Sequence, residues 1–168
     1  MNRFWKAVLL TTLVAGTLDI IAAHVHQTIL TGVFPTKMFR GIAGGAIGPE
    51  NASKGGPAVF VLGILIHYFI SFSFTLFFFL LYPAISKLLS NKYLNALLYT
   101  LFVWLMMNFI VLPYFTAFPR RPFVFNIHQA VGFLILYLVF SLPISIMSEK
   151  YYKSGSTGNR QGSGLIQG

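Results

Sequence analysis

Five polar residues stand inside stretches that are otherwise apolar enough to cross a lipid bilayer: Asp19, His26, His67, Asn108 and His128. A carboxylate at bilayer depth costs roughly 2.5 to 3.5 kcal/mol, so we expect Asp19 to face the protein interior and find a partner. His67 is the only histidine or charged residue of its stretch, and the Asn108 amide can donate to a carboxylate. We therefore predict that Asp19 and His67 come within direct or one-water hydrogen-bonding reach and share one proton, with Asn108 beside them.

The same residues also have a structural interpretation. Polar side chains that hydrogen-bond between membrane helices contribute about 0.6 to 2 kcal/mol each. We favour that role for Asn108, and an imidazole at the level of the lipid headgroups for His128. For Asp19 and His67 the functional and the structural roles both remain open, because ionisable pairs inside membranes are so often functional.

Metal binding is a weaker interpretation of the histidines. Zinc accepts imidazole and carboxylate ligands. On a helix, however, His24 and His26 diverge, because residues at i and i+2 do not share a face. The sequence has no His-Glu-x-x-His motif and no arrangement of Ser, His and Asp that indicates nucleophilic catalysis. We assign no metal site, no catalytic residue and no cofactor, and favour a protein that is not an enzyme.

The composition indicates which elements position these residues. Of the 168 residues, 56% are hydrophobic and only 9% are charged, whereas a soluble domain carries about 25% charged residues. The net charge of +9 comes from bases scattered singly between apolar runs. That pattern favours topology signals and contact with membrane lipids, and argues against nucleic acid as a partner. The absence of cysteine excludes disulfides and thiolate chemistry.

Four apolar stretches of spanning length predict an all-α membrane protein, namely a four-transmembrane-helix bundle. We place the spans at about residues 4–30, 57–82, 93–115 and 123–147, within a membrane domain of residues 1–148. A cleaved signal peptide at the N-terminus is less favoured, because Asp19 would interrupt its apolar region. Residues 149–168 are rich in Gly, Ser and Gln, which predicts a polar, disordered tail.

The long connection between the first two spans has a pattern of its own. Prolines bracket residues 35–47, which predicts a short interfacial helix in this first outer loop. Its glycines, between residues 41 and 48, would let it pack closely on a neighbouring span. We expect four basic residues to contact lipid headgroups, two in this loop and two in the turn between the third and fourth spans: Lys37, Arg40, Arg120 and Arg121.

Four spans place both termini on one side of the membrane. That side carries seven bases, against five on the other side, which favours cytoplasmic termini. With this orientation, the five polar residues of the candidate site all fall in the outer half of the bundle. The seven bases are Arg3, Lys6, Lys87, Lys92, Lys150, Lys153 and Arg160. The five are Lys37, Arg40, Lys54, Arg120 and Arg121.

Several stretches resemble an uncharacterised family of small four-span bacterial inner-membrane proteins. They are Ala15-Gly16-Thr17-Leu18-Asp19, the Gly-rich segment 42–56 with Gly48-Pro49-Glu50, Leu65-Ile66-His67-Tyr68-Phe69, and Met107-Asn108-Phe109-Ile110-Val111-Leu112-Pro113. The chain is more distantly similar to the YagU-like inner-membrane proteins, through the histidine of the second span and the proline that closes the third. The resemblance implies a multi-pass location in the bacterial inner (plasma) membrane and this fold, without an activity.

Three functions are compatible with these observations. The first is a polytopic protein whose polar site handles a proton, an ion or a small solute; four spans are few for a transporter, so a homodimer would be expected. The second is a structural or accessory subunit beside a partner membrane protein, without transport or catalysis. The third is a membrane-embedded, metal-assisted enzyme acting on lipid.

Overall fold

The computed structural model describes residues 2–118 and 126–163, with side chains to residue 154. Within those residues the regular structure is entirely helical, and four helices are long and apolar enough to cross a membrane. They are Arg3–Thr31, Pro57–Leu88, Lys92–Phe115 and Ile127–Ser154. The chain is therefore an all-α, multi-pass membrane protein, which confirms the predicted four-helix bundle.

The helices follow one another in this order: α1 (Arg3–Thr31), α2 (Met38–Ile47), α3 (Pro49–Lys54), α4 (Pro57–Leu88), α5 (Lys92–Met106), α6 (Leu112–Phe115), α7 (Ile127–Leu136) and α8 (Leu142–Ser163). A π-helical turn, Met107–Val111, joins α5 to α6, and another, Tyr137–Ser141, joins α7 to α8. Thus α1 and α4 are the first two spans, α5 with α6 is the third, and α7 with α8 is the fourth.

Prolines account for both π-helical turns. Pro113 lies four residues after Phe109, and Pro143 lies four residues after Val139. Proline has no backbone N–H to donate to the carbonyl four residues back, and its ring presses against that carbonyl. The helix widens by one residue before each proline and then continues, as membrane helices can when they lie against neighbouring helices.

A third proline creates a contact between spans. Pro83 lies inside α4 and leaves the carbonyl of Phe79 without its usual helical donor. The hydroxyl of Tyr152 on α8 donates to that carbonyl at 2.8 Å. The proline therefore exposes an acceptor that the fourth span uses.

The start of the first span and the end of the fourth lie at one end of the bundle, which we call the termini end. Arg3 at the start of α1 donates to the hydroxyl of Ser154 at 2.6 Å. Glu149 of α8 accepts Lys153 at 2.6 Å and lies 3.4 Å from Lys92 at the start of α5. These contacts tie the fourth span to the first and the third.

The fourth span ends later than the sequence pattern predicts. A disordered tail is predicted from residue 149, whereas α8 continues to Ser163. The physical reason is that Glu149, Tyr152 and Ser154 each find a partner on another span, which the local composition does not reveal. Residues 119–125, which contain the predicted start of this span, and residues 164–168 lie outside the described part of the chain.

The opposite end, which we call the loop end, is built around α2. The helix predicted in this loop is present, although it begins at Met38 and is followed by the short helix α3. A Cβ atom on Gly63 of α4 would collide with the backbone of Phe39, and one on Gly45 would collide with the carbonyl of Phe115. The backbone N–H of Ala117 donates to the carbonyl of Gly41 at 2.9 Å. Hence α2 packs against the second span and against the end of the third, as the glycine pattern predicts.

An apolar cluster fills the bundle below this end. Its buried members come from all four spans: Ala15, Phe78, Tyr82, Tyr99, Val103, Phe140 and Ile144. The rings of Phe78 and Tyr99 lie 4.6 Å apart, and the Tyr99 hydroxyl donates to the carbonyl of Phe74. Large apolar side chains also cover the outside of every span, as a surface in contact with lipid tails requires.

Candidate functional site

One cavity occupies the loop-end half of the bundle, between α2 and the apolar cluster. Its volume is about 980 Å³, at the upper end of the range of small-molecule pockets. All four spans and α2 contribute to its wall, and Phe74, Val103 and Phe140 lie at its inner limit. The five residues of the predicted polar site all line it: Asp19, His26, His67, Asn108 and His128.

Asp19 enters the cavity from α1. It lies one helical turn beyond Gly16, where α1 and α4 come close together, and its side chain is half-buried. No described residue hydrogen-bonds to its carboxylate or forms an ion pair with it. A carboxylate at this depth without a partner in the described part of the chain relies on what fills the cavity for its stabilisation.

His67 is buried and held by the first span. Its Nε2 atom lies 2.9 Å from the carbonyl oxygen of Gly16. The neutral or protonated ring donates there, with Nε2–H as the donor. A Cβ atom on Gly16 would lie 3.2 Å from Ser71, one turn along α4 from His67. The glycine therefore brings α4 close enough for the ring to reach a backbone carbonyl of α1.

A second contact beside this one joins the same two spans. The hydroxyls of Thr17 and Tyr68 lie 2.7 Å apart and form a hydrogen bond. Sequence analysis misses this pair, although each member directly follows a residue of the first contact, Gly16 or His67. An aliphatic run interrupted by Gly-Thr, and another by His-Tyr, is the signal that could have indicated it.

The side-chain amide of Asn108 has a hydrogen-bond acceptor within its own helix. Its Nδ2 atom donates to the carbonyl of Trp104 at 2.9 Å, and both residues line the cavity. The residue stands in the π-helical turn Met107–Val111, where the widened backbone alters which side chains face inward.

The predicted pair, Asp19 and His67, lines one cavity, and no direct hydrogen bond joins the two side chains in the structure. The Nε2 atom of His67 contacts Gly16, and the Asn108 amide donates to Trp104. Sequence spacing predicts that the three residues face the cavity. It does not predict which atom each side chain contacts. A water-mediated link between Asp19 and His67 stays a prediction.

The two remaining histidines stand nearer the loop end. His26 is half-buried on α1, and its Nε2 atom is buried without a hydrogen-bond partner among the described residues. His128 is exposed at the first turn of α7, which begins after Asn126 caps the backbone N–H of Gln129. His24, two residues from His26, does not line this cavity; its ring lies 5.3 Å from those of Phe34 and Phe39.

Two of the four bases predicted to contact lipid headgroups line the cavity. Lys37, at the N-terminus of α2, is exposed, and Arg40, one turn on, is half-buried and donates weakly to the carbonyl of Ser53 at 3.4 Å. Arg120 and Arg121 lie outside the described residues.

The described residues contain no group of three or more His, Asp or Glu side chains close enough to hold a metal ion. The histidines come from different depths of the cavity and do not converge on one point. Comparison with protein-family models, with curated proteins and with solved structures finds no match to this chain.

Proposed function

We propose that this chain binds a small solute in the loop-end cavity, with Asp19 as the titratable group that faces the solute. The observation that carries the proposal is the convergence of Asp19, His26, His67, Asn108 and His128 on one cavity of about 980 Å³. An apolar wall with a few convergent polar groups is the usual composition of a small-molecule site. A carboxylate without a partner among the described residues adds a reason for a ligand or a proton to bind there.

The proposal extends to location and assembly. It places the chain in a bacterial inner membrane, as a relative of the four-span proteins that it resembles, with cytoplasmic termini because the termini end carries the larger share of bases. Membrane lipids are its immediate partners, and a second copy or another membrane protein would complete a transport unit.

A structural subunit is the second candidate. It is favoured by the hydrogen bonds of His67 to Gly16 and of Asn108 to Trp104, which satisfy two of the five polar residues inside the protein. The two candidates differ at the cavity itself, because a purely structural bundle has no need of a cavity that opens to solvent.

Single cysteines test the proposal, since the chain has none of its own. Ile70 lines the cavity and is partly exposed, whereas Ser73, about 4.5 Å further along the same helix, is exposed on the outside and does not line it. In intact cells, a membrane-impermeant thiol reagent should label Ile70→Cys and leave Ser73→Cys unlabelled, because only the cavity side is wet. Equal lack of labelling both before and after the membrane is permeabilised, with both proteins folded, would contradict an open cavity.

The same reagent tests the orientation separately. Ser90 is exposed in the turn between α4 and α5, at the termini end. With cytoplasmic termini, Ser90→Cys should react only after the membrane is permeabilised. Labelling of Ser90→Cys in intact cells would overturn the orientation without affecting the cavity.

A further inference from the structure

Charge is distributed unevenly along the cavity. Lys37 and Arg40 line it near the loop end, and neither lies within ion-pairing distance of a carboxylate in the described residues. The chain has three acidic residues, and two are already paired: Glu50 with Lys54, and Glu149 with Lys92 and Lys153. The third is Asp19. The two cations at the rim therefore have no counter-ion in the protein.

The start of α2 adds to this positive end. Lys37 is the residue that caps the helix, and its side chain accepts no hydrogen bond from the first backbone N–H groups. The N–H of Met38 donates to the carbonyl of Pro35 at 3.1 Å, and the N–H groups of the next two residues have no acceptor in the described part of the chain. Such N–H groups and the helix dipole favour an anion at a helix N-terminus. Pro35, Lys37 and Met38 all line the cavity, so this N-terminus lies at its rim.

Apart from Asp19, His67, Ser71 and Asn108, the deeper wall is mainly apolar. It includes Ile70, Phe74, Trp104 and Leu136, with Phe140 of the apolar cluster at the inner limit. Carbon-rich side chains offer little to a hydrated inorganic ion and favour an apolar body of a ligand. A ligand that satisfies both regions has an anionic head and an apolar tail.

From these observations we propose that the cavity binds a single-chain lipid with a carboxylate or phosphate head, held by Lys37, Arg40 and the start of α2, with its tail toward Trp104. The inference rests on the proposed binding function and names its ligand class. Such amphiphiles reside in the membrane that surrounds the four spans. A cationic amphiphile, with its head on Asp19, is the competing occupant, and the rim disfavours it with two fixed positive charges.

Trp104 provides an intrinsic reporter for the test. The chain has two tryptophans, and the other, Trp5, is partly exposed at the termini end, where it stacks on Phe72. In a Trp5→Phe background, bromine atoms on a bound tail should quench the emission of Trp104. The probe is dibromostearate, added to the protein in phosphatidylcholine nanodiscs at a pH that ionises the acid. Its methyl ester and dibromostearylamine are the neutral and cationic probes with the same tail.

We expect saturable quenching by dibromostearate and only the weak, linear quenching of a partitioned lipid by the other two probes. Lys37→Ala with Arg40→Ala should weaken the apparent affinity for dibromostearate about tenfold or more, because the anionic head then loses both of its charged partners. Lys54→Ala is the matched control: Lys54 lies in the same loop, pairs with Glu50 and does not line the cavity. This variant should bind dibromostearate as the parent does.

Other outcomes overturn the inference in distinguishable ways. Equal quenching by the acid and its ester would show that the cavity does not select an anionic head. Stronger quenching by the amine would show that it selects a cationic head, which would lie on Asp19. An equal loss of affinity for dibromostearate in Lys54→Ala would show that the protein's overall positive charge, and not Lys37 with Arg40, attracts the acid. Labelling of Ile70→Cys without saturable quenching would leave the proposed cavity function standing and refute the lipid alone.

Discussion

At the scale of single residues, the polar groups in and beside the cavity are of two kinds: those with a hydrogen-bond partner in the protein, and those without one in the described residues. His67, Asn108 and the pair of Thr17 with Tyr68 have hydrogen-bond partners in the protein, and Asp19 has none in the described residues. Buried groups of the first kind usually contribute to stability, whereas an unpaired carboxylate lowers it.

This difference predicts opposite effects on stability. Asp19→Leu should leave the melting temperature unchanged or raise it, because no protein hydrogen bond is lost and an unpaired carboxylate is removed. Thr17→Val, on the same helix, should destabilise the protein by about 0.5 to 1.5 kcal/mol, because Tyr68 then loses its partner. Thermal unfolding in one detergent compares the two. Marked destabilisation by Asp19→Leu would indicate that Asp19 is a structural residue.

The sequence allows us to predict which polar residues face the interior better than it allows us to predict their hydrogen-bond partners. The cost of a carboxylate at bilayer depth directs Asp19 inward from sequence alone, and helical spacing does the same for His67 and Asn108. The acceptor that each finds depends on details that spacing does not contain. Gly16 exposes its carbonyl to His67 only because two spans touch there, and Asn108 turns to Trp104 within a widened helix turn.

At the scale of elements, glycine and proline positions determine how the helices meet. The glycines of α2 have neighbours at distances that exclude a side chain, and the prolines of the third and fourth spans each follow a π-helical turn. Close packing of α2 could be predicted from its composition. The π-helical turns could not, because a proline in a membrane helix can equally produce a kink.

Gly45 provides the test at this scale. A Cβ atom there would meet the backbone carbonyl of Phe115, which cannot move aside as a flexible side chain can. Gly45→Ala should therefore lower stability by at least about 1 to 3 kcal/mol, as overpacking does. Gly132→Ala is the control, because Gly132 is helical with open space around it and alanine is the better helix former. The result expected from thermal unfolding is a lower midpoint for Gly45→Ala alone; equal midpoints would remove the packing argument.

At the scale of the whole molecule, the two ends of the bundle differ in construction. The termini end is closed by hydrogen bonds and ion pairs among the first, third and fourth spans, next to the apolar cluster. At the loop end, α2 packs against the second span and the end of the third, and the cavity lies beneath it. The number of spans could be predicted from hydropathy. The difference between the two ends could not be predicted from the sequence. It depends on Tyr152, which donates to the Phe79 carbonyl that Pro83 leaves free, and Tyr152 lies in the segment predicted as a disordered tail.

The extension of the fourth span therefore carries the last prediction. A chain ending at Ser154 keeps Glu149 and Tyr152 and should unfold at the same temperature as the full chain. A chain ending at Met147 loses the Tyr152 hydrogen bond to Phe79 and the ion pairs of Glu149. It should be less stable by about 1 to 3 kcal/mol, if each buried interhelical bond contributes the usual 0.6 to 1.7 kcal/mol.

Tyr152→Phe in the full chain isolates the hydroxyl and should account for about 0.5 to 1.5 kcal/mol of that loss. Melting temperatures of the four proteins, purified in the same detergent, decide the matter. If ending the chain at Met147 costs nothing, the residues after it do not hold the spans together. The apolar cluster alone would then close the termini end, and the Phe79 carbonyl would accept a hydrogen bond from another donor.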